Sequence, residues 1–323
     1  MVKVAIAGAN SGLALEVIDK LVEDQKHEVV ALCRKDPAQF PQQRGVNWVQ
    51  TSFKDKTQLV NLFSDVEVVL NFIVVSNDPG SVVSKLLVDA AVEAGVKRFA
   101  PSEWAMGQKV YDIIDAVPWY QGKLDMQAYL RKINEDKKVI EYCFFQPGLF
   151  MEYTAFPRQL TRHVPPMAIA WQLDDLRIVA IEGHEDDPMT VTTVSDIAGV
   201  VRRAVEYEGE WPEIGGITGE SISPRQLQHV VEKIRGKLVR LEIVKESDVD
   251  TGILRVDMPP IQHPSIPEDQ REAWHTPGWI GILTAVAKGA WAVTDEWNKL
   301  LPDYKFTGIE EFVKQTWGGK SDL

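Results

Sequence analysis

The apolar positions of the chain follow one rhythm in its first half and another in its second. Val2–Ala7 is an apolar run stopped by Gly8, which predicts a short buried strand. Leu13–Glu23 then spaces its apolar residues at helical intervals. The alternation continues with strands at Glu28–Cys33, Val46–Gln50, Val66–Phe72, Val96–Ala100 and Val139–Gln146. Helices fall through Thr57–Val60, over Val82–Ala94 with Gly95 as its stop, and over Gly122–Asn134. Strands this apolar, joined by helices, predict a parallel sheet covered on both faces: an α/β chain with a Rossmann-type doubly wound sheet.

After Pro147-Gly148 proline and tryptophan become frequent and the elements less regular. This predicts a nucleotide-binding domain over residues 1–152 and a smaller α+β substrate-binding lobe over 153–323. The lobe is expected to cover the C-terminal edge of the sheet, with segments near 191–222 packing back on the first domain. Val191–Val205 reads as a helix with Ser195 as N-cap, and Ser223-Pro224 as the start of another. Glu268–Leu300 reads as a helical region carrying Trp274, Trp279, Trp291 and Trp297. Core of the second lobe is the favoured assignment for these tryptophans; a lid or a homodimer surface is the alternative.

Composition narrows the partners. The chain has 323 residues, 45% hydrophobic and 25% charged, enough for a large buried core. Its formal net charge of −12, with no basic patch, argues against nucleic acid and anionic membranes. The longest apolar run, Trp279–Val293, is too short to span a membrane and contains Lys288. The N-terminus reads as a strand and not as a signal peptide, so a cytoplasmic location follows as the default. Cys33 and Cys143 sit in strand-like runs and read as buried thiols. Neither they nor the six histidines have metal-ligand spacing, so no metal is expected. His184 beside Glu185, Asp186 and Asp187 reads as a polar loop. His163, His263 and His275 are each open to a place in the pocket.

The candidate chemistry begins at the first turn. Gly8-Ala9-Asn10-Ser11-Gly12-Leu13-Ala14 joins the first strand to the first helix. Small residues there let the backbone approach a pyrophosphate, and the helix N-terminus offers N–H groups and positive dipole. Ser11 and Ala14 stand where glycine is usual, and Gly12 is an added glycine. Cofactor contacts are expected from Gly8, Asn10, Ser11, Gly12, Leu13 and Ala14. The second strand ends in Cys33-Arg34-Lys35 and not in a carboxylate. Arg34 can grip a 2′-phosphate bidentately and Lys35 adds a point charge, which predicts NADP(H) over NAD(H).

These residues, together with Val96-Lys97-Arg98-Phe99-Ala100-Pro101-Ser102-Glu103-Trp104, Val191–Ala198 and Ile222–Lys237, resemble the NmrA-like and isoflavone reductase-like branch of the atypical short-chain dehydrogenases. The resemblance covers most of residues 1–255. It implies a catalytic lysine on the helix after the fifth strand, and Lys123 holds that position. Lys123 would contact the nicotinamide ribose and assist proton transfer; a lysine beside cofactor under an apolar cover has a destabilised charge. The Tyr-x-x-x-Lys pair of ordinary short-chain dehydrogenases is absent, because Trp119 stands where the tyrosine would be. Tyr120 is rotated by about 100° from that place at ~3.6 residues per turn and is open to lining a substrate pocket or to packing. Val75 and Ser76 after the fourth strand, and Pro147 and Phe150 after the sixth, are further cofactor candidates. Phe150 and Tyr153 are candidates for stacking on an aromatic substrate, with core packing as the alternative. Ser102-Glu103 fits a capping pair as well as a catalytic one.

Three functions stay open on this reading. The first is an NADPH-dependent reductase of an aromatic or polyketide-like small molecule. The second is an NADP(H)-binding redox sensor acting through a protein partner. The third is an isomerase or cyclase that keeps the cofactor as scaffold.

Overall fold

The computed structural model describes residues 1–262 and 266–319. Its contacts group the chain into two compact units. The first comprises Met1–Trp104, Trp119–Phe145 and Ile197–Gly215; the second comprises Ala105–Pro118, Gln146–Asp196 and the chain from Gly216 onward.

The first unit is built from β1 (Val2–Ala7), α1 (Gly12–Val22), β2 (His27–Cys33), β3 (Val46–Gln50), α2 (Lys56–Leu62), β4 (Val68–Asn71), α3 (Val82–Glu93), β5 (Arg98–Ala100), α4 (Gln121–Ile133) and β6 (Glu141–Tyr142). The six strands form one sheet in the order β3-β2-β1-β4-β5-β6. All five ladders are parallel, with Val4 opposite Val29 on one side and Val68 on the other. This is the doubly wound dinucleotide-binding order, whose reversal falls between β1 and β4. The crevice at the C-terminal ends of those two strands is therefore where a ligand fits.

The burial pattern explains the local choices. Leu13, Ala14, Val17, Ile18, Leu21 and Val22 form one buried stripe of α1. They face a sheet whose β1 and β4 interiors are closed on both sides. Leu32, Leu59, Phe63, Leu87, Phe99 and Leu130 meet in one core cluster, and each such side chain contributes roughly 1.5–3 kcal/mol on burial.

The expected strand Val139–Gln146 is divided. Glu141 and Tyr142 pair with β5, and Phe144–Gln146 (β7) pairs with Ile214–Gly216. The chain changes partner at Cys143: its N–H still donates to Phe99 O at 3.2 Å, whereas that of Phe144 donates to Glu213 O at 2.8 Å.

The second unit holds β8 (Leu149–Phe150), β9 (Trp171–Gln172), β10 (Arg177–Ile181) and β11 (Met189–Thr192). They are followed by α5 (Val194–Glu206), which runs on into the first unit, then β12 (Ile214–Gly216), β13 (Glu220–Ile222), α6 (Pro224–Arg235), β14 (Arg240–Val244), α7 (Glu246–Asp250), α8 (His275–Ala287), α9 (Glu296–Leu300) and α10 (Ile309–Trp317). Two small sheets run β14-β10-β9 and β13-β11-β8. Arg177 pins the first: its guanidinium donates to Glu242 at 2.6 Å, Gln172 at 2.7 Å and Asp257 O at 2.6 Å. Ser223 caps α6 in a reciprocal box with Gln226, and Pro224 holds the first helical position.

Leu149 and Phe150 pair with Val191 and Thr192 within the second unit. Two expectations about the second half are corrected. Val191 belongs to a strand, and Ser195 lies inside α5. Thr193 takes the capping role, accepting from Asp196 N–H at 3.0 Å. The helical region to Leu300 breaks after α8 at Gly289, whose φ of +69° ends it.

Candidate active site

Gly8 closes β1 with a φ of +71°, and a Cβ there would lie 2.8 Å from Ile73 N. Only glycine lets the turn pass this close to the end of β4. Ala9 N–H donates to Leu32 O, and Ser11 N–H to Gly8 O. Ser11 stands at the N-cap of α1 without a side-chain bond to its first turn, which leaves those N–H groups to an anion.

Beyond this turn lies an open groove of about 1030 Å³, lined by Gly8, Asn10 and Ser11 at one part and by Arg34, Ser52 and Lys54 at another. Arg34 is exposed, and its backbone carbonyl accepts from Gln50 Nε2 at 3.1 Å. Asp55 also lines the groove, but its carboxylate is turned to the Gln58 N–H at the start of α2. Lys54 was not singled out from sequence. It follows β3, where no motif marks it; its only signal is its place just past the C-terminal end of a strand beside β2.

Several expected cofactor residues stand elsewhere. Leu13 and Ala14 are buried on the core face of α1, so only their backbone can serve a ligand. Gly12 and Lys35 do not line the groove, and Val74 and Asn77 line it in place of Val75 and Ser76. Val75 faces a small space of about 10 Å³ shared with Gly122, Lys123, Glu103 and Asp78.

Lys123 opens α4 and is 8% exposed. Its ammonium donates to the Glu103 backbone carbonyl and stands 4.5 Å over the Tyr120 ring. Burial lowers its pKa to about 8, against an opposing pull from the Glu103 charge. The Glu103 carboxylate, itself 3% exposed, accepts from Gln127 Nε2 at 3.1 Å. Ser102-Glu103 is thus no helix cap. Trp104 fixes this turn in a left-handed conformation: its indole N–H donates to Asn71 O at 2.8 Å, and its ring stacks on Phe72 at 4.3 Å and on Phe145 at 5.3 Å.

Tyr120, a substrate candidate from sequence, is 2% exposed and packs beneath Lys123. Pro147, Phe150 and Tyr153 belong to the second unit. Pro147 is buried. Phe150 stacks on Tyr153 at 5.4 Å, and the packing around Tyr153, with Glu152 beside it, pushes that phenol up. The second unit also contains an apolar cavity of about 60 Å³, walled by Ile169, Val179, Trp279, Ile282, Leu283 and Trp291. The Trp291 indole N–H is buried there with no hydrogen-bond partner among the described residues. His184 pairs with Asp187 at 2.6 Å, and His275 reaches Met258 O at 3.3 Å. His263 lies outside the described residues. Among the described residues no group of three or more His, Cys, Asp and Glu could hold a metal ion, and no helix is long and apolar enough to cross a membrane.

A glycine turn at the reversal of a 3-2-1-4-5-6 sheet, facing a groove with an arginine after β2, defines a Rossmann-type dinucleotide-binding fold. The chain belongs to the NmrA-like family, whose sequence model matches residues 2–313. It is 25% identical over 241 residues to Oxidoreductase BOA1 of Botryotinia fuckeliana, covering 74% of this chain and 76% of that protein. It is 26% identical over 280 residues to a bifunctional pinoresinol-lariciresinol reductase of Forsythia intermedia, covering 84% and 82%. Among solved structures it resembles AtPrR2 with NADP+ and (+)pinoresinol at a TM-score of 0.69, with 18% identity over 98% of both chains. The Citrobacter sp. triphenylmethane reductase complexed with NADP(H) matches at 0.65, with 19% identity over 97% and 99%. At these identities the structural likeness is one of fold.

Proposed function

We propose that the chain is an NADPH-dependent reductase of an apolar, aromatic small molecule. The observation that carries this reading is the single groove shared by the Gly8 turn and Arg34. It offers a pyrophosphate site and a cation for a 2′-phosphate on one surface. Relatives named as an oxidoreductase and a reductase, and fold neighbours described with NADP+ or NADP(H), support the activity and the cofactor.

The nicotinamide, when bound, supplies a hydride from C4 to a carbon of a ketone, enone or quinone methide. The chain's residues do the rest. The first-turn N–H groups of α1 hold the pyrophosphate and Arg34 holds the 2′-phosphate. Lys123 gives a proton to the substrate oxygen, directly or through water. At neutral pH Lys123 is largely protonated, yet its burial disfavours that charge, so proton donation relieves a cost built into the fold. The neutral amine then regains its proton from solvent. A relative named as a pinoresinol-lariciresinol reductase, and a fold neighbour described with (+)pinoresinol, support an aromatic substrate.

The test is a titration with NADPH and NADH, followed by tryptophan quenching, for wild type and Arg34→Ala. Tight NADPH binding with a preference lost in the variant is the expected result. Binding of neither nucleotide would remove the reductase reading.

A further inference from the structure

The α4 face that carries Lys123 also carries Gln127 and Arg131, at successive helical turns. Arg131 Nη2 donates to Gln127 Oε1 at 3.2 Å, and Gln127 Nε2 donates to Glu103 Oε1 at 3.1 Å. Arg131 is held in turn by Glu213 at 2.8 Å, whose other oxygen accepts from the Tyr142 hydroxyl at 3.1 Å. A polar chain thus runs from the partly exposed Arg131–Glu213 pair to the carboxylate of Glu103, whose backbone carbonyl holds the buried ammonium and which borders the same small space.

It is not a proton wire. The Lys123 ammonium donates to the Glu103 backbone carbonyl, which has no proton to pass on. What the chain fixes is the place and orientation of a charge. We propose that Glu103 is a positioning residue for Lys123: its carbonyl fixes where the ammonium sits, and its carboxylate, held by Gln127, supplies the opposing charge. This rests on Lys123 as the proton donor of the proposed reaction.

Among the described residues that border the same small space, Asp78 is the one other charged group besides Glu103. The two Asp78 oxygens accept from Val83 and Ser84 N–H at 2.8 Å each, at the start of α3. Arg131 stands one helical turn further along α4, beyond Gln127. Ser81, Ser84 and Ser102 border the space with hydroxyls that do not titrate in this range. The Tyr120 ring offers its face to the ammonium. Burial drives the lysine toward the neutral amine, and the Glu103 charge opposes it.

The experiment is an NMR titration of protein labelled with [13Cε]lysine, with Lys123 assigned from the resonance missing in Lys123→Met. Wild type should titrate near pH 8. Glu103→Gln keeps the shape and the Gln127 contact while removing the charge, and should move the midpoint down by about one pH unit. Gln127→Met removes a donor to the same carboxylate and should move it down by less. It also serves if the first variant folds poorly. Midpoints unchanged in both variants would overturn the proposal. The high-pH limb of kcat should follow the NMR midpoint. If the midpoint moves and that limb does not, Glu103 keeps its assignment and the proton-donor reading of Lys123 fails.

Discussion

Gly122 and Val75 are in contact so close that no side chain fits between them: a Cβ on Gly122 would lie 2.6 Å from Val75 Cγ1 and 3.3 Å from Ser81 Oγ. Ser81 Oγ in turn donates to the Gly122 carbonyl at 3.1 Å. The start of α4, and with it Lys123, is thereby clamped to the turns that follow β4. Gly122→Ala should cost about 1–3 kcal/mol in stability through overpacking. It should also lower kcat more than NADPH affinity, because it shifts the neighbour of Lys123. Thermal unfolding and steady-state kinetics on one preparation check both; an unchanged kcat would mean that the clamp does not set the lysine.

Arg34 and Lys35 are adjacent in sequence but differ in the structure, since Arg34 lines the groove and Lys35 does not. Arg34→Ala should therefore erase most of the preference for NADPH over NADH, while Lys35→Ala should leave it within about threefold, the scale of an exposed charge at a distance. Equilibrium dialysis with both nucleotides separates the cases. A larger loss from Lys35 than from Arg34 would place the 2′-phosphate elsewhere.

Lys123 gives the fold a defined pH dependence. Its pKa falls from 10.5 to about 8 on burial, so the unfolded chain holds this proton more tightly than the folded one. The penalty is full below pH 8 and fades as pH climbs toward 10.5, so this residue's contribution to stability rises with pH across that window. The difference corresponds to about 3 kcal/mol at most. Lys123→Met should abolish turnover yet stabilise the protein at pH 7, and that advantage should shrink by pH 10. Urea unfolding at both values reads it, and a variant less stable at pH 7 would contradict the sign.

The apolar cavity of the second unit makes a different demand. Leu283 is 1% exposed and lines it. Leu283→Ala would enlarge the space and should cost about 2–5 kcal/mol in stability. Urea unfolding reads the loss, and a midpoint unchanged from wild type would contradict it.

Much of the first unit could be read from the chain because its signals are local. The apolar runs of β1 and β3 mark strands ending at Ala7 and Gln50, where the structure ends them. The Gly8 turn announces itself by composition. What sequence could not supply is which positions meet. Glu103 and Lys123 are 20 residues apart, and their contact depends on the left-handed backbone at Trp104, held by its stacking on Phe72 and Phe145. Lys35 sits beside Arg34 at the end of β2 but off the groove, whereas Lys54, past the end of the next strand in sequence, shares the groove with Arg34. In the second half the two- to five-residue strands carry too little periodicity to read. Val191 looked helical because α5 follows its strand after a single residue.

Deuterium transfer tests the central claim most directly. The protein is incubated with NADPH deuterated at C4, each face in turn, and a panel of aromatic ketones, enones and quinones. Mass spectrometry then reads both product and cofactor. Deuterium is expected at a substrate carbon from one face only, with NADP+ formed in equal amount, and neither is expected with Lys123→Met. A converted substrate that carries no deuterium while NADPH stays intact would contradict it, and would make the cofactor a scaffold for isomerisation.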